Sequence, residues 1–193
     1  MLGQCSARDA ILTTPFKGVE LIPSSMALAA AELELADMRD RVMRLKEELV
    51  RVKGEYDFVL IDCPPSLGMV TLNALSACDS LIIPIQCEYY ALEGLSQLVT
   101  TVRQVKRLYN PGIEIEGVLL TMYDGRLNLT LQVVDEVKKY FPEKVFKNVI
   151  PRNVRLSEAP SFGQPVLYFD RSSRGSQAYE ALTAEILDKN RKG

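Results

Sequence analysis

The sequence predicts an α/β fold, a mostly parallel β-sheet flanked by helices on both faces. Three observations lead there. Short apolar runs alternate with longer segments of helical period, several runs are apolar on both strand faces, and one of them ends in an isolated aspartate followed by two prolines. Strands apolar on both faces belong in sheets covered by helices on each side.

The runs expected to form strands are Val19–Ile22, Phe58–Ile61, Leu81–Ile85, Ile115–Leu120, Val145–Ile150 and Val166–Phe169. Between the first two, Leu35, Met38, Val42, Leu45, Leu49 and Val52 recur at spacings of 3, 4, 3, 4 and 3, one apolar helix stripe. Asp37–Arg41, Asp40–Arg44 and Glu47–Arg51 stand at i,i+4 on its wet side. Leu92, Leu95, Val99, Val102 and Val105 mark a second helix, stopped by Asn110-Pro111-Gly112. Leu127, Leu131, Val134, Val137 and Phe141 mark a third, ending at Pro142, and Ala178, Leu182 and Ile186 mark the last. No repeat, low-complexity tract or linker interrupts the 193 residues, which are read as a single domain.

With 47% hydrophobic and 25% charged residues the chain can bury a core, and no stretch has the ~20 continuous apolar residues of a membrane span. The expected location is the cytoplasm. The chain has no histidine, which excludes Ser-His-Asp, Cys-His and histidine-base chemistry. Cys5, Cys63, Cys78 and Cys87 lack CxxC spacing, so a zinc site is disfavoured and the four are expected to be reduced and mostly buried. Net charge is −2, yet residues 1–137 hold 12 basic and 19 acidic side chains whereas residues 138–193 hold 11 and 6. The basic end permits a local anion-binding face.

The chemical signal is the segment from Tyr56 to Gly68, YDFVLIDCPPSLG, which places Asp62 at the tip of an apolar run. Open α/β sheets bind ligands at that end of their strands, and an acid there can help to hold Mg²⁺ beside phosphates. Pro64 and Pro65 stiffen the exit, and Ser66 is placed to cap a helix over Leu67–Ser76. Glu88, Tyr89 and Tyr90 follow the third run, where they could line a ligand or dimer face or pack against a helix.

The string IDCPPSLG with Thr71-Leu72-Asn73-Ala74-Leu75 resembles the ParA/Soj signature around Walker B. Three further strings match that family's pattern in order: Pro84 to Leu95, Gly117 to Asp124, and Ile150 to Ser161. The resemblance, from about Val19 to Ile186, is to the partition ATPases of the deviant-Walker (MinD/ParA) P-loop class. It implies a P-loop NTPase-like fold that binds ATP with Mg²⁺, forms a homodimer in the ATP state, holds non-specific double-stranded DNA and answers to a ParB-like centromere-binding partner. It implies a nucleoid-associated protein and no membrane partner.

By position, the resemblance makes Asp62 the Walker-B acid, an indirect Mg²⁺ holder, and puts Pro64 and Pro65 in a switch segment. It makes Thr121, Met122, Pro151, Arg152 and Asn153 the loops over the adenine, and Arg126 and Arg155 DNA contacts. A guanidinium fork can donate two hydrogen bonds to one phosphate. Asp62 is expected on the same sheet rim as residues 150–153. None of the 11 glycines is followed by lysine, so GxxxxGK[ST] is absent. The expectation is therefore the C-terminal three-quarters of a ParA-like domain, with the first strand, P-loop and first helix missing and no hydrolysis by this chain alone. The alternative is a non-hydrolysing homologue that binds DNA or a partner.

Overall fold

The computed structural model describes residues 1–88 and 93–191. They form two compact units, Met1–Asp79 with Leu98–Glu114, and Ser80–Gln97 with Ile115–Gly193. Tyr89, Tyr90 and Leu92 lie outside the described residues.

In the first unit a short helix α1 (Ala7–Ala10) carries a complete capping box between Ser6 and Asp9. Strands β1 (Leu12–Thr13) and β2 (Glu20–Leu21) then pair antiparallel, Leu12 opposite Leu21. The connection is tight. Gly18 takes φ 72°, the Val19 N–H reaches Phe16 O at 3.1 Å, and the Thr14 hydroxyl donates to Val19 O at 2.6 Å. The expected strand over residues 19–22 is thus an exposed hairpin arm rather than part of a parallel sheet.

The expected single helix over residues 35–52 is broken into α2 (Ala27–Ala36) and α3 (Arg44–Leu49), with Asp40 left-handed at φ 53° between them. The break is held from outside. Asn73, wholly buried in α4 (Met69–Ala77), accepts the Leu45 N–H at 3.1 Å and donates to Arg41 O at 2.7 Å and Met69 O at 3.0 Å. The stripe nevertheless names the inward side: Leu35, Val42 and Val52 are buried. The ion pairs follow the broken geometry, Arg44–Glu47 and Arg51–Glu48 at i,i+3, instead of the expected i,i+4 set. Gly68, not Ser66, is the N-cap of α4, and the Glu32 carboxylate supplies the missing acceptor to the Val70 N–H at 3.0 Å.

Residues 58–61 are the largest departure. They form no strand, and Leu60 is 87% exposed. A central strand needs extended neighbours, and β1 and β2 of this unit pair with each other.

The second unit holds the predicted sheet. Strands β3 (Ser80–Gln86) and β4 (Glu114–Thr121) are neighbours joined through α5 (Glu93–Leu108). Their C-terminal ends lie side by side, the Cys87 N–H donating to Thr121 O at 3.0 Å, as a parallel pair requires. A third segment adds parallel bridges Val118–Val145 and Tyr123–Pro151. It is not a continuous strand over 145–150, because the Glu185 carboxylate takes the N–H groups of Lys147 (3.0 Å) and Asn148 (3.1 Å) and the Asn148 amide (2.7 Å). Burial disfavours that charge, but these hydrogen bonds outweigh it and hold the Glu185 carboxyl below its usual range.

Helix α6 (Asn128–Tyr140) stops before Pro142, as expected, and α9 (Arg174–Arg191) covers a cluster of Leu119, Phe146, Ile150 and Leu182. Residues 166–169 form helix α8 (Val166–Phe169), not a strand. Gly163 at φ 62° turns the chain, Pro165 caps the helix start, and Phe169 stacks on Phe162 at 5.1 Å. The cysteines are free as expected but mostly accessible: Cys5 and Cys63 are exposed, Cys78 is half-buried, and only Cys87 is buried.

Candidate functional site

The C-terminal edge of β4 gathers most of the sequence-predicted residues of the second unit. The Ile150 N–H donates to Leu120 O at 2.9 Å and the Tyr123 N–H to Ile150 O at 3.0 Å, so Thr121 and Met122 run beside Pro151, Arg152 and Asn153. Met122 adopts φ 50° and is 40% exposed. A non-glycine residue in the left-handed region is uncommon and marks a constrained turn. Asn153 is the N-cap of α7 (Val154–Glu158), its Oδ1 accepting the Arg155 N–H at 3.0 Å. Its carbonyl amide is thereby oriented, while Arg152 reaches Glu88 at 2.6 Å.

Both arginines expected to meet DNA stand on this unit's surface, and both are paired with carboxylates. Arg126, in the turn before α6, donates Nε to Asp124 Oδ1 at 2.9 Å and Nη2 to Asp124 Oδ2 at 2.7 Å, and its own N–H reaches Oδ1 at 3.1 Å. These bonds, side chain first and backbone second, pull the Asp124 carboxyl down to about 2 and raise the guanidinium. Arg155 contacts Glu158 at 2.8 Å and Asp170 at 3.2 Å, the Glu158 hydrogen bond being the main reason its guanidinium is raised. Asp124 and Glu158 stand inside the motif strings, but nothing in those strings singles them out as partners of the arginines. Their i,i+2 and i,i+3 spacings to the arginines are the visible signal, whereas Asp170 is brought in by the fold.

Asp62, Pro64 and Pro65 belong to the first unit, on the exposed irregular segment before α4. Asp62 is not at the end of a strand. Among the described residues no group of three or more His, Cys, Asp or Glu side chains could hold a metal ion. One exposed carboxylate without a phosphate cradle does not make a Mg²⁺ site, since Mg²⁺ is usually held by one or two carboxylates together with substrate phosphates. The residues present therefore do not by themselves fit a bound ATP–Mg²⁺. Among the described residues no helix is long and apolar enough to cross a membrane.

Comparison with known proteins is consistent across the chain. A family model described as an AAA domain matches residues 1–115. The sporulation initiation inhibitor protein Soj of Bacillus subtilis is 56% identical over 178 residues, covering 92% of this chain and 70% of that protein. The chromosome partitioning protein ParA of Myxococcus xanthus is 47% identical over 190 residues, covering 98% and 67%. Among solved structures, cobyrinic acid a,c-diamide synthase from Mycobacterium smegmatis with bound ADP and magnesium superposes with a TM-score of 0.82 at 33% identity, covering 96% of this chain and 68% of that one. These likenesses carry the α/β fold of the P-loop class, with its helices and parallel sheet. With four motif strings in register and this identity over nearly all its length, the chain belongs to the Soj/ParA family of chromosome-partitioning proteins.

Proposed function

We propose that this chain serves chromosome or plasmid partition through a non-specific DNA-binding face that carries Arg126 and Arg155. In this reading the assembled partition ATPase, in its ATP state, would be a homodimer that holds the nucleoid, and a ParB-like centromere-binding partner would trigger release. Asp62 is the Walker-B acid of that site and Pro64 and Pro65 its switch segment. Thr121, Met122, Pro151, Arg152 and Asn153 enclose the adenine. These roles are supported by position in the motif strings. The observation that carries the reading is the 56% identity to Soj across 92% of the chain.

Phosphoryl transfer depends on loop amides and a lysine that stabilise charge on the transferred group. These 193 residues hold no GxxxxGK, so ATP turnover by them alone is expected to stay at background. Asp62-dependent phosphate release by the purified chain would overturn that statement. The DNA reading is tested by salt titration on two unrelated duplexes. Arg126→Ala and Arg155→Ala should weaken binding equally on both and make the salt dependence shallower, because phosphate contacts carry no base information. If both variants bind like the parent, the DNA assignment is wrong.

A further inference from the structure

The DNA-facing reading leaves Asp124 without a role, and its geometry supplies one. Both of its oxygens lie in the side-on fork of Arg126, at 2.9 and 2.7 Å, which is the arrangement a phosphate would take on the same guanidinium. The Arg126 side chain is 89% exposed while that of Asp124 is 27% exposed. The carboxylate is thus the recessed anchor and the guanidinium the accessible edge. Only Gly125 separates the two residues, so the pair closes with little chain entropy and the carboxylate competes at high effective concentration. A second cation, Arg152, acts on Asp124 through its charge and is itself paired with Glu88 at 2.6 Å.

We infer that Asp124 is an internal phosphate mimic, a carboxylate that occupies Arg126 until a nucleic-acid phosphate displaces it and so sets the threshold of DNA affinity. The inference rests on the DNA-binding reading given above and adds its regulation. Asp124 is a positioning residue here, acting through Arg126.

The test is a double-mutant cycle in the assembled partition ATPase in its ATP state, with anisotropy of a labelled duplex at low salt. D124N keeps an Oδ1 acceptor for the Arg126 N–H, so it preserves the turn while it removes the competing charge and the Oδ2 acceptor of Arg126 Nη2. D124N should bind about two- to fivefold tighter, the range of an exposed ion pair lost from the free state. In an Arg126→Ala background the same change should yield no gain. Equal tightening in both backgrounds would reduce the effect to general charge and overturn the inference, as would no tightening where R126A alone weakens binding. If R126A binds like the parent, the reading of Arg126 as a DNA contact fails, and this inference falls with it. A readout without DNA stands beside it: phenylglyoxal should modify Arg126, followed by peptide mass, faster in D124N than in the parent. Unchanged reactivity at Arg126 would show that Asp124 does not mask it.

Discussion

Replacing Asn73 by alanine should destabilise the first unit by an amount that follows from its partners. The side chain is wholly buried and joins three places: the first turn of α3 through Leu45 N–H, the preceding turn through Arg41 O, and its own helix through Met69 O. Leu45 lies in the first helical turn, where backbone donors have no intrahelical partner, so Asn73→Ala orphans that N–H and the Arg41 carbonyl together. Each orphan costs about 1–3 kcal/mol when buried; Arg41 is exposed and Leu45 half-buried, so about 2–4 kcal/mol in total is expected. For a chain of this size that is a fall in Tm of about 5–15 °C, read by circular dichroism. Hydrogen exchange adds the specific check, since the Leu45 amide should lose protection more than amides elsewhere in α3. A Tm within a degree of the parent, or an unchanged Leu45 amide, would refute the bridging role.

Glu185→Gln should cost about 1–2 kcal/mol at neutral pH by weakening hydrogen bonds to an ionised acceptor. Because the folded carboxyl is held low, this contribution is complete above the ordinary glutamate range and disappears as pH falls through the folded value. Urea melts of parent and variant should therefore differ at neutral pH and converge at acid pH. A Cβ at Gly117 would overlap the Phe146 ring, so Gly117→Ala should lower stability by about 1–3 kcal/mol, and Phe146→Leu in the same chain should recover part of the loss. In thiol titration with a chromogenic disulfide, Cys5 should react first. Cys63 should follow more slowly, its thiol raised by partial desolvation and then by the Asp62 charge. Cys87 and Cys78 should come last, burial pushing Cys78 up to about 11. Fast reaction of Cys87 would mean that β3 opens readily.

What local chemistry writes into a chain was legible without coordinates. The stops at Asn110-Pro111-Gly112 and Pro142, the inward residues Leu35, Val42, Val102, Val105, Val137 and Phe141, and the strands β3 and β4 all follow from period and punctuation, whereas the start of the α6 stripe does not hold: Leu127 and Leu131 are exposed and Val133, outside the expected stripe, is buried. Family membership was legible too, because motif strings survive whatever their residues do in space. Part of the signature proved to be structural: Asn73, within its TLNAL string, ties two helices together.

Pairing and capping between distant segments were not legible. Residues 58–61 have strand composition, but a strand exists only where extended neighbours complete its ladder, and here β1 and β2 complete each other. The stripe from Leu35 to Val52 has helical period, yet a side chain about 30 positions away holds its break open. Residues 145–150 could have formed a regular strand until Glu185, from the last helix, took two of their backbone donors. The ion pair of Arg126 lay within reach of spacing, whereas Asp170 arrives at Arg155 only through the turn at Gly163 and helix α8. Sequence therefore determined which helices can form and, apart from the start of α6, which of their faces turn inward, since both depend on neighbours in the chain. Tertiary structure decided which candidate strands pair and which carboxylates meet the arginines, since those depend on groups that only folding brings together.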